Sequence, residues 1–543
     1  MFIKPGDPKA NLTLKKLELF LSFAFTMLAL SFMITDAYAY SQNLISTNKI
    51  VGVKESPYFP GKNIDSEDGQ LRIFLECLPV VLMIAISFII LRRGIFYFSQ
   101  SKILSIYFYI VFGIAFGIFL HTAGICFLLA LILCNYVFAK ILARNKFFPI
   151  LVWIGNLAFL LLAEYYDGFR FAWFNQSLGF LDDLPQLLKW HRVNNLCMLK
   201  IISFMMDYHW KLTDKLVPTH EKHIVKCDEC SEKIFCLKYR AESHAEIYTL
   251  ASFLAYTLYA PLYLAGPTTT YNSWISQVYL PQQTISSKNL IIYILRFLGT
   301  FLVLLWFIHN LYFPTIASNI ENRNILLQMT PYELIIASYF ILKWIWLKFI
   351  VIWRFFRIWA LFDGIESPEN MGRCMSNNYC FEGFWRMWHR AFNQWLIRYL
   401  FIPLGGSRYK IYNIWVVFGF VAIWHDLTLS LLFWGWGMCL FIMPEVLVKA
   451  YFAQTKMAEF RKTLSFSWMC AISGGVYECL MVIANLVGFS FGIDGLIQTI
   501  QKLMDWDGIM IMSKVMIVLT ISTHFMMLYR KDEVRRGIGS KGF

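Results

Sequence analysis

Two histidines, His389 and His425, lie 36 positions apart in the stretch that most narrows the chemistry of this chain, Phe384 to Asp426. That stretch opens with Phe384-Trp385-Arg386-Met387-Trp388-His389-Arg390. It runs through Ile402-Pro403-Leu404-Gly405-Gly406 and closes on Ile423-Trp424-His425-Asp426. His425 ends a strongly apolar, aromatic run from Val416, with no basic neighbour. An ionisable ring is costly to place in a membrane span, so its presence there is a functional signal by default. A neutral imidazole in a dry site can take the proton of a hydroxyl. The chemistry to look for is proton transfer inside a membrane.

Read as one helix, Phe384–Tyr399 places Arg386, His389, Arg390 and Asn393 along one face, because positions three and four apart are neighbours. The same pattern fits an interfacial amphipathic helix with snorkelling arginines. A histidine such as His425 can also serve as a hydrogen-bonded link between helices. Asp426 points about 100° away from it on a helix and makes a weak partner.

A polar segment, 211–245, carries His220, His223, Cys227, Cys230, Cys236 and His244. Cys227 and Cys230 with His223 and Cys236 have zinc-like spacing, but a second clean pair is missing. The expectation is a solvated loop without metal. There is no phosphate-binding Gly-rich loop, nucleophile elbow or zincin helix, which makes a serine hydrolase or an ATP-driven pump a poor reading.

The elements that must position these residues are membrane helices. Of 543 residues 58% are hydrophobic and only 15% charged, against about 25% in soluble domains. Mean hydropathy is +0.53. Apolar runs recur at the about 17–25 residues needed to cross hydrocarbon. Spans are expected near Leu19–Ile34, Phe74–Leu91, Ile103–Leu120, Ala123–Ala139, Phe147–Ala163, Ile247–Ala265, Leu290–Tyr312, Leu334–Trp353, Tyr412–Trp424, Thr428–Met443, Ser465–Val487 and Ile509–Leu528. Leu196–His209 reads as re-entrant. The expected fold is all-α: one polytopic domain over residues 1–543, with roughly eleven transmembrane helices and one or two re-entrant or interfacial ones. The net charge of +14 follows from Lys and Arg in short loops rather than from a nucleic-acid surface. Lys15-Lys16, Arg92-Arg93, Lys140-Arg144 and Arg535-Arg536 then lie on the cytosolic side, with both termini. The first helix is expected to be retained, although Ala37-Tyr38-Ala39 resembles a signal-peptidase site.

These residues give the chain a resemblance to the membrane-bound O-acyltransferase family: the Trp388-His389 helix, the Pro403-Leu404-Gly405-Gly406 turn and the Trp424-His425 pair. It further resembles the glycerol-uptake-protein branch, related to Hedgehog acyltransferase, through Ile201–Tyr208, Tyr259–Pro267 and Arg357–Tyr379. The likeness covers about residues 196–445, and the Cys/His-bearing insert departs from it. It implies helices enclosing a cavity through the membrane of the endoplasmic reticulum. His425 matches the family's invariant histidine, implied to be the general base, and His389 its second active-site position. Asn393, Arg386 and Arg390 become candidates for holding the oxyanion or the substrate, the arginines equally for lipid headgroups. The implied co-substrate is acyl-CoA, with no other cofactor. The implied acceptor is a lysophosphatidylinositol-type lipid, as in remodelling of glycosylphosphatidylinositol anchors. Acylation of another lysolipid or of a secreted protein, and glycerol or solute transport, are the alternatives. Transport is disfavoured because neither repeats nor paired charges on broken helices are visible.

Overall fold

With no water in hydrocarbon to satisfy the backbone, the apolar runs become helices. The computed structural model describes residues 8–47, 49–213, 223, 236–323 and 325–536. The chain begins with α1 (Pro8–Ser46), then a hairpin of β1 (Val53–Glu55) and β2 (Asn63–Asp65), paired antiparallel with Val53 opposite Asp65. Four helices follow: α2 (Gly69–Phe98), α3 (Lys102–His121), α4 (Ile125–Leu142) and α5 (Phe148–Tyr165). The middle of the chain holds α6 (Trp190–Leu212) and the short α7 (Leu237–Glu242), α8 (Leu250–Thr257) and α9 (Tyr271–Tyr279). Next come α10 (Ser287–Asn310), α11 (Phe313–Arg323) and α12 (Pro331–Phe362). Two seven-residue helices, α13 (Phe381–Met387) and α14 (Arg390–Leu396), lead to α15 (Lys410–His425) and α16 (Leu429–Ala453). The chain closes with α17 (Leu464–Leu486), α18 (Gly492–Met504) and α19 (Trp506–Arg535).

Among the described residues, nine segments are long and apolar enough to cross a membrane. The expected count was higher for identifiable reasons. α3 and α4 are joined by a single 3-10 turn into one segment, Lys102–Leu142. The expected span Ile247–Ala265 is not one helix. It breaks after eight residues of α8 into a 3-10 turn at Ala260–Leu262, where Pro261 lacks the N–H to continue. Nearby tyrosines bond elsewhere in the fold: Tyr256 Oη donates to the Thr269 carbonyl (2.5 Å) and Tyr259 Oη to Asp363 (2.6 Å). α15 has sixteen residues and ends within the protein. Leu196–His209 is the middle of α6, buried along nearly its whole length.

α12 is the axis of the fold: 67% of its most apolar window is buried, against 6% for α1. Pro331 at its start and a Thr330–Glu333 capping box fix where it begins. Two charged clasps hold α2 alongside it. Asp68, which caps α2 at Leu71 N, also accepts from Trp344 Nε1 (3.0 Å) and Lys348 Nζ (2.6 Å). At the other end Asp363 accepts from Tyr109 and Tyr259 and pairs with Arg92 at 3.3 Å. α2 and α12 therefore run parallel.

α1 packs on α19 with Glu18 against His524 (2.7 Å) and Phe23 against Phe525. Asp36, further along α1, bonds Tyr332, and Lys502, just before α19, bonds the Leu326 carbonyl, so the two helices run antiparallel. It stays helical through Ala37-Tyr38-Ala39, and Ala37 is fully buried. This brings the Lys16 end of α1 and the Arg535 end of α19 to one face. Tags at both ends are therefore expected to be digested together in sealed microsomes, on the cytosolic side. Protection of one tag alone would overturn the arrangement.

The hairpin supplies a pH-sensitive joint outside the membrane. Asp65 accepts from Thr315 N (2.9 Å) and Glu67 N (3.2 Å), but burial outweighs both bonds and pushes its carboxyl up to about 7. Between its ordinary value of 3.8 and about 7 the folded protein holds the proton that the unfolded chain has lost. Stability then falls as pH rises through that window, by up to about 1.4 kcal/mol per unit. Asp65→Asn should flatten the difference in melting temperature between pH 5 and pH 7 in detergent.

Candidate active site

The sequence Phe384–Tyr399 does not form the single helix expected. α13 stops at Met387, and His389 adopts a left-handed conformation (φ 46°, ψ 47°) before α14 begins. A clamp from outside makes the break. Gly372 N donates to the Met387 carbonyl (3.1 Å), Arg390 N to the Asn370 carbonyl (3.0 Å) and Ala391 N to Asn370 Oδ1 (3.1 Å). The 370–372 segment thus supplies to the interrupted backbone the partners that helix geometry would have provided. Its approach is set by Arg357, whose Nε donates to the Ser367 carbonyl (2.8 Å), and by Gln277, which pairs with both Glu366 backbone groups.

After α14 the helix widens into a π turn at Ile397–Phe401 and the chain reverses at Gly405 and Gly406. Both have positive φ (94° and 58°), and a Cβ at Gly405 would lie 2.6 Å from the Tyr409 ring. Only glycine fits there. Asn413 Nδ2 ties the turn down through the Leu404 and Gly406 carbonyls, and α15 then carries His425 at its last residue.

The break and the end of α15 meet around Trp424. Its ring centroid lies 4.9 Å from that of His425 and 6.1 Å from that of His389. Trp424 is held by a reciprocal pair with Asn195 of α6: its Nε1 donates to the Asn195 carbonyl (2.9 Å), and Asn195 Nδ2 donates to the Trp424 carbonyl (2.8 Å). His389 stacks on Trp353 (4.5 Å, 14° between planes) and touches Phe392. His425 meets the edges or faces of Trp434 (6.3 Å) and Phe489 (6.0 Å). The result is an aromatic box containing two imidazoles.

Both rings are deep in the fold, yet His389 is half-buried and His425 exposed, so they face open space inside it. Among the described residues neither ring makes a hydrogen bond. His121, His209 and His524 show the contrast. Each bonds another part of the fold: His121 the Leu188 carbonyl (2.6 Å) and Tyr263 (3.1 Å), His209 the Ala143 carbonyl (2.6 Å), His524 Glu18. Those histidines link elements; among the described residues His389 and His425 do not.

The other candidates fall in different places. Arg386 lies on α13, exposed and paired with Glu382 (2.9 Å), so the break removes it from the face of His389. Lys410 (3.4 Å) and Lys449 (3.1 Å) converge on the same Glu382, and Lys449 also pairs with Glu445. Arg390 is bound through its backbone to Asn370. Asn393 follows one turn after His389 and donates its N–H to the His389 carbonyl (3.0 Å); its side chain touches neither imidazole through a hydrogen bond. Cys227 and Cys230 lie outside the described residues. His223 Nε2 is 3.6 Å from Cys236 Sγ, and its Nδ1 is 3.3 Å from Glu242. No group of three or more His, Cys, Asp or Glu able to hold a metal occurs among the described residues.

Residues 177–487 match the membrane-bound O-acyltransferase family. The chain is 36% identical over 443 residues to the membrane-bound O-acyltransferase gup1 of Schizosaccharomyces pombe, covering 80% of this chain and 75% of that protein. It is 29% identical over 557 residues to GUP1 of Saccharomyces cerevisiae, covering 99% and 96%. A more distant likeness, 26% over 192 residues (34% and 37% of the two chains), joins it to the mouse protein-cysteine N-palmitoyltransferase HHAT. The chain belongs to the membrane-bound O-acyltransferase family, and acyl transfer at a membrane is its class of activity.

Four residues that frame the box carried no local signal of their role: Asn370, Asn195, Trp434 and Phe489. Gly488, in the π turn Val487–Phe491 after α17, presses on the box directly. A Cβ there would lie 2.8 Å from Cβ and Cγ of Trp434, atoms that cannot swing aside. Gly488→Ala should push Trp434 toward His425 and lower transfer by about 10²-fold, the cost of a 1 Å misplacement at a reacting centre. Overpacking of about 1–3 kcal/mol leaves the fold standing. Unchanged transfer rates at matched expression would show that the π turn does not shape the site.

Proposed function

We propose that the protein transfers a long-chain acyl group from acyl-CoA to a lipid hydroxyl, the acceptor being a lyso intermediate of the glycosylphosphatidylinositol type in the endoplasmic reticulum membrane. The observation that carries this reading is the pair of unbonded imidazoles in an open aromatic box. His425 Nε2 or Nδ1 takes the proton of the acceptor hydroxyl as its oxygen attacks the thioester carbonyl. A new C–O bond forms, the C–S bond breaks, and the proton passes from His425 to the departing CoA thiolate. His389 donates a hydrogen bond to the oxyanion, a contribution of about 3–4 kcal/mol per donor in other enzymes. Once an acyl chain and the acceptor fill the space beside the surrounding tryptophans and phenylalanines, water is displaced, which protects the thioester from hydrolysis.

Arg386, Lys410 and Lys449 outnumber Glu382 and Glu445 beside α13, a locally positive surface suited to CoA phosphates. The test is transfer from labelled long-chain acyl-CoA to lysophosphatidylinositol in membranes, paired with lipidomics of anchor lipids in cells with and without the protein. Loss of the long acyl chain from anchors, restored by the wild-type chain, is the expected result. Transfer only to a peptide acceptor, or only solute uptake, would replace this reading.

A further inference from the structure

A second space lies on the far side of the box. It is an open-sided cavity of about 1040 Å³ lined by α1, α12, α17, α18, α19 and the 374–378 loop. That volume is at the top of the range for small-molecule pockets, about 300–1,000 Å³, and its walls are mostly Phe, Leu, Ile, Met and Val. α1, α18 and α19 fall outside residues 177–487, the segment that matches the family model.

Three charged residues line it from membrane helices, where charges are rare and mark ligand paths: the exposed Lys514 of α19, Lys343 and Glu478. Lys343 of α12 has no carboxylate within ion-pairing distance among the described residues. Its ammonium rests near Cys374 Sγ (3.5 Å) and over the rings of Tyr339 (5.1 Å) and Trp346 (5.6 Å). Glu478 of α17 lines the same cavity, and its Oε1 is buried with no hydrogen-bond partner. Among the described residues the two form no ion pair with each other. The ammonium lacks an anion and the carboxyl lacks a donor. One molecule that supplies both, on an apolar chain, is an amphiphile with a phosphate and a free hydroxyl on the same glycerol.

We propose that this cavity binds a lysophospholipid, its chain along the apolar walls, its phosphate on Lys343 and its glycerol hydroxyl donating to Glu478. Only one layer separates this site from His425. Asn485 lines the cavity and accepts from Trp434 Nε1 (3.2 Å); Val487 and Phe491 line it too and bracket Phe489, which touches His425. As the waiting position of an acceptor that reaches the box from the bilayer, the site rests on the function proposed above; as a binding site it does not. α17 ends there in a π turn, a distortion frequent at functional sites.

The experiment measures capture of photoactivatable lipids by purified full-length protein in nanodiscs, with cross-links mapped to peptides. The probes are lysophosphatidylinositol, diacyl phosphatidylinositol and a monoacylglycerol of the same chain. Wild type should label with lysophosphatidylinositol at least tenfold more strongly than with monoacylglycerol, on peptides of α1, α12 and α19. Lys343→Gln should remove that preference and Lys343→Arg restore it, which separates loss of charge from loss of fold. Glu478→Gln should narrow the preference over the diacyl lipid. His425→Ala should label as wild type does while its transfer is measured in the same samples. Equal labelling by all three lipids, or full preference in Lys343→Gln, overturns the proposal. Selective labelling with no transfer to any acceptor leaves the site standing and removes the acyl-transfer role of the captured lipid.

Discussion

His425→Ala is expected to accumulate in membranes at the wild-type level and to lose acyl transfer by about 10²-fold or more, the scale for removing an acid–base group. The normal accumulation follows from the site itself. The His425 ring makes no hydrogen bond among the described residues, so its loss orphans no partner; it removes ring contacts with Trp424, Trp434 and Phe489 at the end of α15. His389→Ala should cost less. Its proposed role is to donate one hydrogen bond, and a water admitted beside Trp353 can replace that bond in part. Its backbone is left-handed, a conformation histidine adopts more readily than alanine, so the change adds a small local strain. Because the two act on one transition state, the double mutant should be little worse than His425→Ala alone. The measurement is initial rate against acyl-CoA with expression matched by blot. Wild-type rates in His425→Ala would end the general-base assignment.

How much of this arrangement was legible depended on whether its cause was local. Long apolar runs announced the membrane helices, and the ring at the end of Val416–Trp424 stood out because its neighbours are all apolar. The break at Trp388-His389 had no such cause. Phe384–Tyr399 contains neither proline nor glycine, and its periodicity suits one helix throughout. The interruption is imposed by Asn370, whose carbonyl and side chain take the N–H groups that begin α14. Trp424 is fixed by Asn195, 229 positions earlier, a pairing that hydropathy and spacing do not encode. The segment Ile247–Ala265 misled in the opposite way. Its hydropathy is continuous, but its tyrosines bond outward and Pro261 ends the helix, so it packs as short pieces. The histidines illustrate the same limit from another side. His121 and His425 both follow apolar runs, and only three-dimensional partners separate the linker from the free ring.

The largest effect on folding should come from Asp207, which sits at 0% exposure in α6 behind the π turn that follows α14. Its carboxylate takes Arg398 Nη2 at 2.9 Å, Tyr399 Oη at 3.0 Å and the Asn272 N–H at 3.3 Å. Ser203 Oγ extends the network, bonding Tyr399 Oη (2.7 Å) and accepting from Tyr271 N (2.8 Å). Arg398 also lies over Trp210, 5.0 Å from the ring centre, so its guanidinium is committed to this spot. Removing the anion alone strands that charge. Breaking a buried pair from one side costs about 3–5 kcal/mol, against a total stability of about 5–15 kcal/mol for ordinary proteins. Asp207→Ala is therefore expected to accumulate poorly and to melt far below wild type in detergent. Replacing both partners with apolar residues is often close to neutral, because neither charge is then left unpaired. Asp207→Leu with Arg398→Met should recover most of the melting temperature, although Tyr399 loses one bond and keeps its contact with Ser203. If that double variant also recovers transfer, the network serves only to hold α14 and the π turn in place. Wild-type melting of Asp207→Ala would show that the pair adds no stability.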